Sequence, residues 1–436
     1  MVFGYTPLDP LVVLIGTAMA AWFLSKNPVR LMAYMPTALS LYFFIPTVTL
    51  LTLWQTVPML LTGRALMQGK IKAPSFVKPI LVLIGMAFFL SATFAVLAGD
   101  DGTRAVIRVV YYLGIFALFS FCYEMGRKPE SLQLLLKGLV VMGTVFAAYG
   151  AYQILATPLG LPVRGIVRGA RGAEIAYEYG FVRVNSLANE PKRLGYVLFC
   201  AVLACFALAK LEPKRAKRLR TAAWFILLIS VFTFAGSYFV TIALFGLAAL
   251  LLYPSKATHY VFGLLVLFGL IITVFPDTGI LEAIQYGYER RAAEVEVGLD
   301  GARVYRQEFY AWDYLANHSA ANITGVGLGQ YFITLNQEYG VGVGFNEFGG
   351  LQPLNSNFLE LLFDLGGPVA FLFYLMMILL IWKLRRAGER FLCLALLFVT
   401  IQSLTILTLH WMVLFAGVGT ARLVIKRAAS PNHLTS

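Results

Sequence analysis

The stretch GPVAFLFYLMMILLIWKLRRAGER, residues 367–390, decides the class of fold. From Gly367 to Trp382 it carries no charge and no apolar–polar alternation, and it then stops on Lys383, Arg385, Arg386 and Arg390. An uncharged apolar run ending in a basic cluster reads as a membrane-spanning helix with its end on the cytoplasmic side. Similar runs recur near 11–25, 31–54, 79–98, 106–123, 134–156, 194–209, 222–235, 237–252, 259–275, 391–408 and 411–424. The pattern predicts an all-α polytopic membrane protein of about twelve transmembrane helices. Ten-residue blocks of alternating polarity are absent, which excludes a β-barrel. Composition agrees. The chain has 436 residues, 59% hydrophobic and 13% charged, with a mean hydropathy of +0.76, whereas an ordinary soluble domain has about a quarter charged residues.

The net charge of +13 is the Lys/Arg bias of cytoplasmic segments, not a nucleic-acid footprint. Segments 64–78 (Arg64, Lys70, Lys72, Lys78), 210–220, 383–390 and 422–427 alternate with the span count so as to be cytoplasmic, with the C-terminus inside. The insertions 157–193 and 276–355 then lie outside. Twelve spans place Lys26 and Arg30 outside, whereas dividing 31–62 into two short spans places them inside and the N-terminus out. The first apolar run reads as a retained span, because MVFGYTPLDP has no basic leader and no small-residue cleavage site follows. Cys122, Cys200, Cys205 and Cys393 fall inside apolar runs without CxxC spacing, so they read as core packing. The chain divides into N-terminal helices 1–156, a basic external loop 157–193, central helices 194–275, a large external loop with a helix 276–366, and C-terminal helices and tail 367–436.

The first insertion carries Arg164, Arg168, Arg171, Arg183, Lys192 and Arg193 against Glu174, Glu178 and Glu190. Positive charge is normally depleted on that side, and arginine's planar donor fork matches phosphate oxygens, so an anion or diphosphate is the natural partner. Lipid headgroups, or salt bridges to the other insertion, would use the same arginines. The second insertion has ten acids and four arginines, Arg290, Arg291, Arg303 and Arg306. It complements the first electrostatically, and Tyr286, Tyr288, Tyr305, Tyr310, Trp312 and Tyr314 supply material for a packed cap. Gly325, Gly327 and Gly329 would let backbone amides approach a phosphate. Asn357 with Glu360 forms a capping box for an amphipathic helix at the outer interface, with Phe358, Leu361, Leu362 and Leu365 on one face.

Four segments, taken in order, carry a resemblance. They are Arg183-Val-Asn-Ser-Leu-Ala-Asn-Glu-Pro-Lys-Arg-Leu-Gly195, Phe234-Ala-Gly-Ser-Tyr-Phe239, the Gly325–Gly329 run downstream of Arg303 and Trp312, and the Asn355–Gly366 helix. From about residue 180 to 385 the chain resembles the O-antigen polymerase and O-antigen ligase superfamily. The resemblance implies a glycosyltransferase C type membrane fold in the bacterial inner membrane, with an active site facing the periplasm. It implies no metal or other cofactor, a substrate that is an undecaprenyl-diphosphate-linked oligosaccharide or polysaccharide, and membrane lipid and a chain-length regulator protein as further partners. Arg183 and Arg303 then hold the diphosphate, with Arg164, Arg168, Arg171, Arg193 and Arg306 as contributors. Asn355, Asn357 and Tyr305 serve the acceptor or the helix motif. Two departures stand out. Tyr238 occupies a position where the family often has arginine, and Asn355 stands where ligases commonly have histidine.

The reaction so implied expels a good leaving group, which requires neutralisation of developing negative charge and removal of the acceptor's hydroxyl proton. Glu190, the acid among Arg183, Lys192 and Arg193, is the candidate base, and a structural counter-ion is its alternative. A polymerase is preferred over a ligase because of Asn355 and the Asn189-Glu190-Pro191 element. A flippase or exporter of lipid-linked glycans is disfavoured, because charge within the apolar runs is confined chiefly to Arg108 and Lys137.

Overall fold

The computed structural model describes residues 28–40, 44–45, 48–52, 85–86, 89, 103–161, 184–188, 191–233, 235–254, 307–339, 354 and 356–429. Helices dominate them. In chain order they are α1 Leu31–Ser40, α2 Thr103–Gly126, α3 Ser131–Ala156, α4 Pro191–Leu211, α5 Ala216–Val231, α6 Gly236–Leu252 and α7 Gln307–Asn317. Then come α8 Ser319–Thr324, α9 Tyr331–Tyr339, α10 Asn357–Leu365, α11 Gly367–Arg386, α12 Arg390–Gln402 and α13 Leu409–Ala429. Of these, α3, α4, α11, α13 and the Arg108–Gly126 part of α2 are long and apolar enough to cross a membrane, while α6 and α12 are shorter apolar helices. The chain is a predominantly helical membrane protein.

Three expected spans differ from what is found. The run 31–54 is not one helix: α1 ends at Ser40, and β1 Phe44–Ile45 pairs antiparallel with β2 Val48–Thr52. The β-branched Ile45, Val48, Thr49 and Thr52 favour strand. The run 222–235 belongs to a helix that starts earlier, at Ala216, so Lys217, Arg218 and Arg220 are helical. The run 391–408 stops at Gln402. There Ser403 Oγ donates to Thr400 O (2.6 Å), Thr405 Oγ1 to Gln402 O (3.2 Å) and Thr408 Oγ1 to Val399 O (3.1 Å), satisfying the last carbonyls of α12. Runs 11–25 and 259–275 lie outside the described residues, as does nearly all of 79–98.

Packing is continuous. α2 lies against α13, α4 against α3 and α5, α1 against α3, and α12 against α4, α6, α11 and α13. The four cysteines are free and buried in this core, as their apolar settings predict. Lys137 is paired: its Nζ lies 3.0 Å from Glu212 Oε1, which also accepts from Gln133 Nε2 at 2.9 Å. These hydrogen bonds, Lys137's first, hold the Glu212 carboxyl below the usual carboxylate range. Glu389 joins Lys426 (3.1 Å) and Arg422 (3.4 Å), so the basic segments after α11 and at the end of α13 share one side of the bundle.

Candidate functional site

The site is organised by α10. Its N-cap is Ser356, whose Oγ accepts from Leu359 N–H at 3.3 Å, and not the Asn357–Glu360 box expected from the sequence. Asn357 instead anchors the helix to the α12–α13 connection: its N–H donates to Ser403 O (2.9 Å), and its Oδ1 accepts from Thr408 N–H. Apart from Phe358, every residue of α10 is buried. The helix is amphipathic in pattern, as expected, but its polar face turns inward.

That face carries Glu360 and Asp364, one turn apart. Arg108 of α2 meets both, with Nη2 2.9 Å from Glu360 Oε2 and Nε 2.5 Å from Asp364 Oδ2. Asp364 Oδ2 also accepts from Tyr112 Oη at 2.8 Å, and Oδ1 accepts from Gly329 N–H at 2.9 Å. The Arg108 guanidinium lies over the Tyr111 ring, 4.7 Å from its centroid. Burial pushes the Glu360 carboxyl above the usual carboxylate range against the opposing pull of Arg108. The glycine run is therefore used by the protein itself: Gly329 N–H serves Asp364, and Val326 N–H donates to Phe363 O (2.7 Å). Both amides are taken by protein acceptors, contrary to the phosphate-cradle expectation for this run.

The close approach of α8 to the end of α10 depends on glycine. Gly325 has φ +73° and Gly366 φ +81°. A Cβ on Gly325 would stand 2.6 Å from Phe363 O, and one on Gly366 would overlap the Ile323 carbonyl. Gly366→Ala should therefore lose about 1–3 kcal/mol from backbone strain, with added cost from the overlap. Thermal unfolding in detergent measures it, and a parental midpoint would mean that α8 and α10 do not need this approach.

The end of the basic insertion is clamped to the same bundle. Val184 N–H donates to Phe232 O (2.9 Å), Ser186 N–H to Gln153 Oε1 (2.7 Å), and Gln153 Nε2 to Asn185 Oδ1 (2.9 Å). Ser186 is the one non-glycine residue of positive φ, +50°, among the described residues, a strained conformation held by these bonds. Gly195 faces the Tyr238 ring so closely that a Cβ would lie 2.6 Å from it, and Tyr238 Oη donates to Ser230 Oγ (3.0 Å). Tyr238 is a buried packing residue. Arg193, in the first turn of α4 and 8% exposed, lies within electrostatic reach of Glu360 and His410.

Of the residues singled out from sequence, Arg193 and Asn357 are brought to α10. Arg164, Arg168, Arg171, Arg183, Glu190, Arg303, Tyr305, Arg306 and Asn355 lie outside the described residues. His318 stacks on Tyr314 (4.1 Å) and sits 4.0 Å from Glu338, a polar contact among α7, α8 and α9. The sequence reading missed the Arg108–Glu360–Asp364 cluster. Its signal was present: a lone arginine in an apolar run demands a partner, and carboxylates at i and i+4 on a buried helix provide one. Set beside known proteins, the chain matches no protein-family model and no curated protein.

Proposed function

We propose that the chain is a metal-independent membrane glycosyltransferase that polymerises polysaccharide repeat units from undecaprenyl-diphosphate-linked donors at the periplasmic face of the inner membrane. One observation carries this reading: the segments that resemble the superfamily's motifs are far apart in sequence and converge in space. Gly195 packs on Tyr238, Gly329 bonds Asp364, and Arg193 lies within electrostatic reach of Glu360. Chance likeness of short motifs would not require that convergence. About twelve spans, the cap made by 157–193 and 276–355, and the outward orientation belong to the same proposal. Arg183 and Arg303 hold the diphosphate, and Glu190 takes the acceptor's proton.

A flippase or exporter is favoured by one observation, the buried charge of Arg108, Glu360 and Asp364, since transporters carry charge within the bundle. Arg108 contacts both carboxylates directly, and Asp364 is further held by Tyr112 and Gly329, which suits a clamp better than a cavity lining. Turnover of a lipid-diphosphate oligosaccharide by the purified protein decides between them. Arg183→Ala and Arg303→Ala should each lower it by about ten- to a hundredfold, the worth of a hydrogen bond between charged groups. No turnover by the parent protein would refute the enzyme reading. Sizing glycans after gene deletion separates the two transferases: single repeat units on their acceptor indicate a lost polymerase, and long chains on the lipid carrier a lost ligase.

A further inference from the structure

Gln153 is buried in the last turn of the apolar helix α3, where a carboxamide needs partners for both of its ends. It finds both in one short stretch of chain: its Oε1 accepts the Ser186 N–H at 2.7 Å, and its Nε2 donates to Asn185 Oδ1 at 2.9 Å. A backbone N–H can only donate, so the first bond fixes which way the Gln153 amide points, and the second then fixes the Asn185 amide. Gly150, on the same face of α3, makes the room: a Cβ there would stand 3.0 Å from Val184 Cγ1 and 2.8 Å from Ile229 Cγ2. One turn further back, Phe146 O accepts from Ser186 Oγ at 2.6 Å. These contacts hold Ser186 at φ +50°, which a residue other than glycine enters only at a cost. Freed from Gln153, the backbone would return toward negative φ and redirect the chain that follows. Ala188 is still in this turn, with its N–H on Asn185 O at 3.0 Å, and only Asn189 and Glu190 separate it from Pro191, where α4 starts.

We propose that Gln153 is a positioning residue: its amide sets the backbone at Asn185 and Ser186, and through it the course of the chain that carries Glu190 into α4. The inference rests on the glycosyltransfer reading, in which Glu190 is the base, and adds to it a buried residue of a different helix. Asn185 and Ser186 thereby gain a role as the two points at which α3 grips the end of the basic insertion.

The test pairs turnover of a lipid-diphosphate oligosaccharide with amide hydrogen exchange, both on the full chain in detergent. Gln153→Ala should lower kcat by about tenfold to a hundredfold, the cost of a small misplacement of a reacting group, with KM for the lipid-linked donor unchanged. It should also speed exchange at 184–188 while the rest of α3 and α4 exchange as in the parent. Adding Ser186→Gly lets residue 186 hold positive φ without the glutamine, and should recover about threefold to tenfold of the lost kcat. A glutamine that served packing alone would give no such recovery. Asn185→Ala leaves the Ser186 N–H its acceptor and should lower kcat by roughly threefold to tenfold; it carries the test if Gln153→Ala fails to fold. Parental kcat in both Gln153→Ala and Asn185→Ala, or parental exchange at 184–188, overturns the proposal, as does a joint loss of stability, KM and kcat that glycine does not relieve. A parent chain that transfers no sugar removes the glycosyltransfer reading, and faster exchange confined to 184–188 in the variants then leaves Gln153 standing as the residue that sets this joint.

Discussion

Replacing Arg108 by alanine is expected to destabilise the folded protein by about 3–5 kcal/mol, the cost of removing one partner of a buried ion pair. Glu360 and Asp364 would both remain buried without their cation, although Asp364 would keep Tyr112 and Gly329 as donors. At about 1.4 kcal/mol for each factor of ten, the folded-to-unfolded ratio falls by at least a hundredfold. Arg108→Lys should recover part of this, because a point charge cannot reproduce two contacts made from different guanidinium nitrogens. The triple variant Arg108→Met, Glu360→Gln, Asp364→Asn should be more stable than Arg108→Ala, since the cost lies in uncompensated charge rather than in the absence of the pair. Chemical unfolding in detergent micelles measures all three. A loss below about 1 kcal/mol in Arg108→Ala would place the cluster in the class of solvent-screened ion pairs and remove its role as the clamp on α10.

How far the sequence carried this architecture depended on whether local signals or distant partners decided each element. The helices at 103–126, 131–156, 191–211, 236–252, 367–386 and 409–429 were legible because hydropathy is a local property of each run. The failures came where a few polar atoms overrode hydropathy. β-branched residues took part of an apolar run into a pair of antiparallel strands, and hydroxyls at 403, 405 and 408 ended α12 inside another. The cap of α10 was misplaced by one residue because Ser356 and Asn357 are both good N-cap types. Only the tertiary bond from Thr408 to Asn357 assigns the asparagine elsewhere. The ionic cluster was the least legible part, since 252 residues separate Arg108 from Glu360 and nothing local to either names the other. Each half was visible as an anomaly, a charge in an apolar setting, and the two anomalies explain one another.

Glu190→Gln is expected to lower turnover by about a hundredfold to ten-thousandfold, the ordinary contribution of a general base, while leaving binding of the lipid-linked donor nearly intact. The amide keeps the shape and one hydrogen-bond acceptor but cannot take a proton from the acceptor hydroxyl. Donor affinity should persist if, as proposed, it rests on Arg183 and Arg303. Glu360 is the competing carboxylate, and its surroundings set the two apart. It is buried, engaged by Arg108 at 2.9 Å and fixed on a helix whose other carboxylate shares the same cation. Changing it should therefore cost stability together with activity. Glu190 immediately precedes Pro191, the first residue of α4, and stands three residues before the buried Arg193. Measuring turnover, donor binding and thermal midpoint on both variants separates the possibilities. Loss of turnover at constant binding and stability in Glu190→Gln supports it as the base. The same signature in Glu360→Gln, with Glu190→Gln fully active, moves the base to α10. If all three quantities collapse together in Glu190→Gln, its carboxylate is the counter-ion of the arginines around it, because only a structural role couples folding to a charge that chemistry does not need.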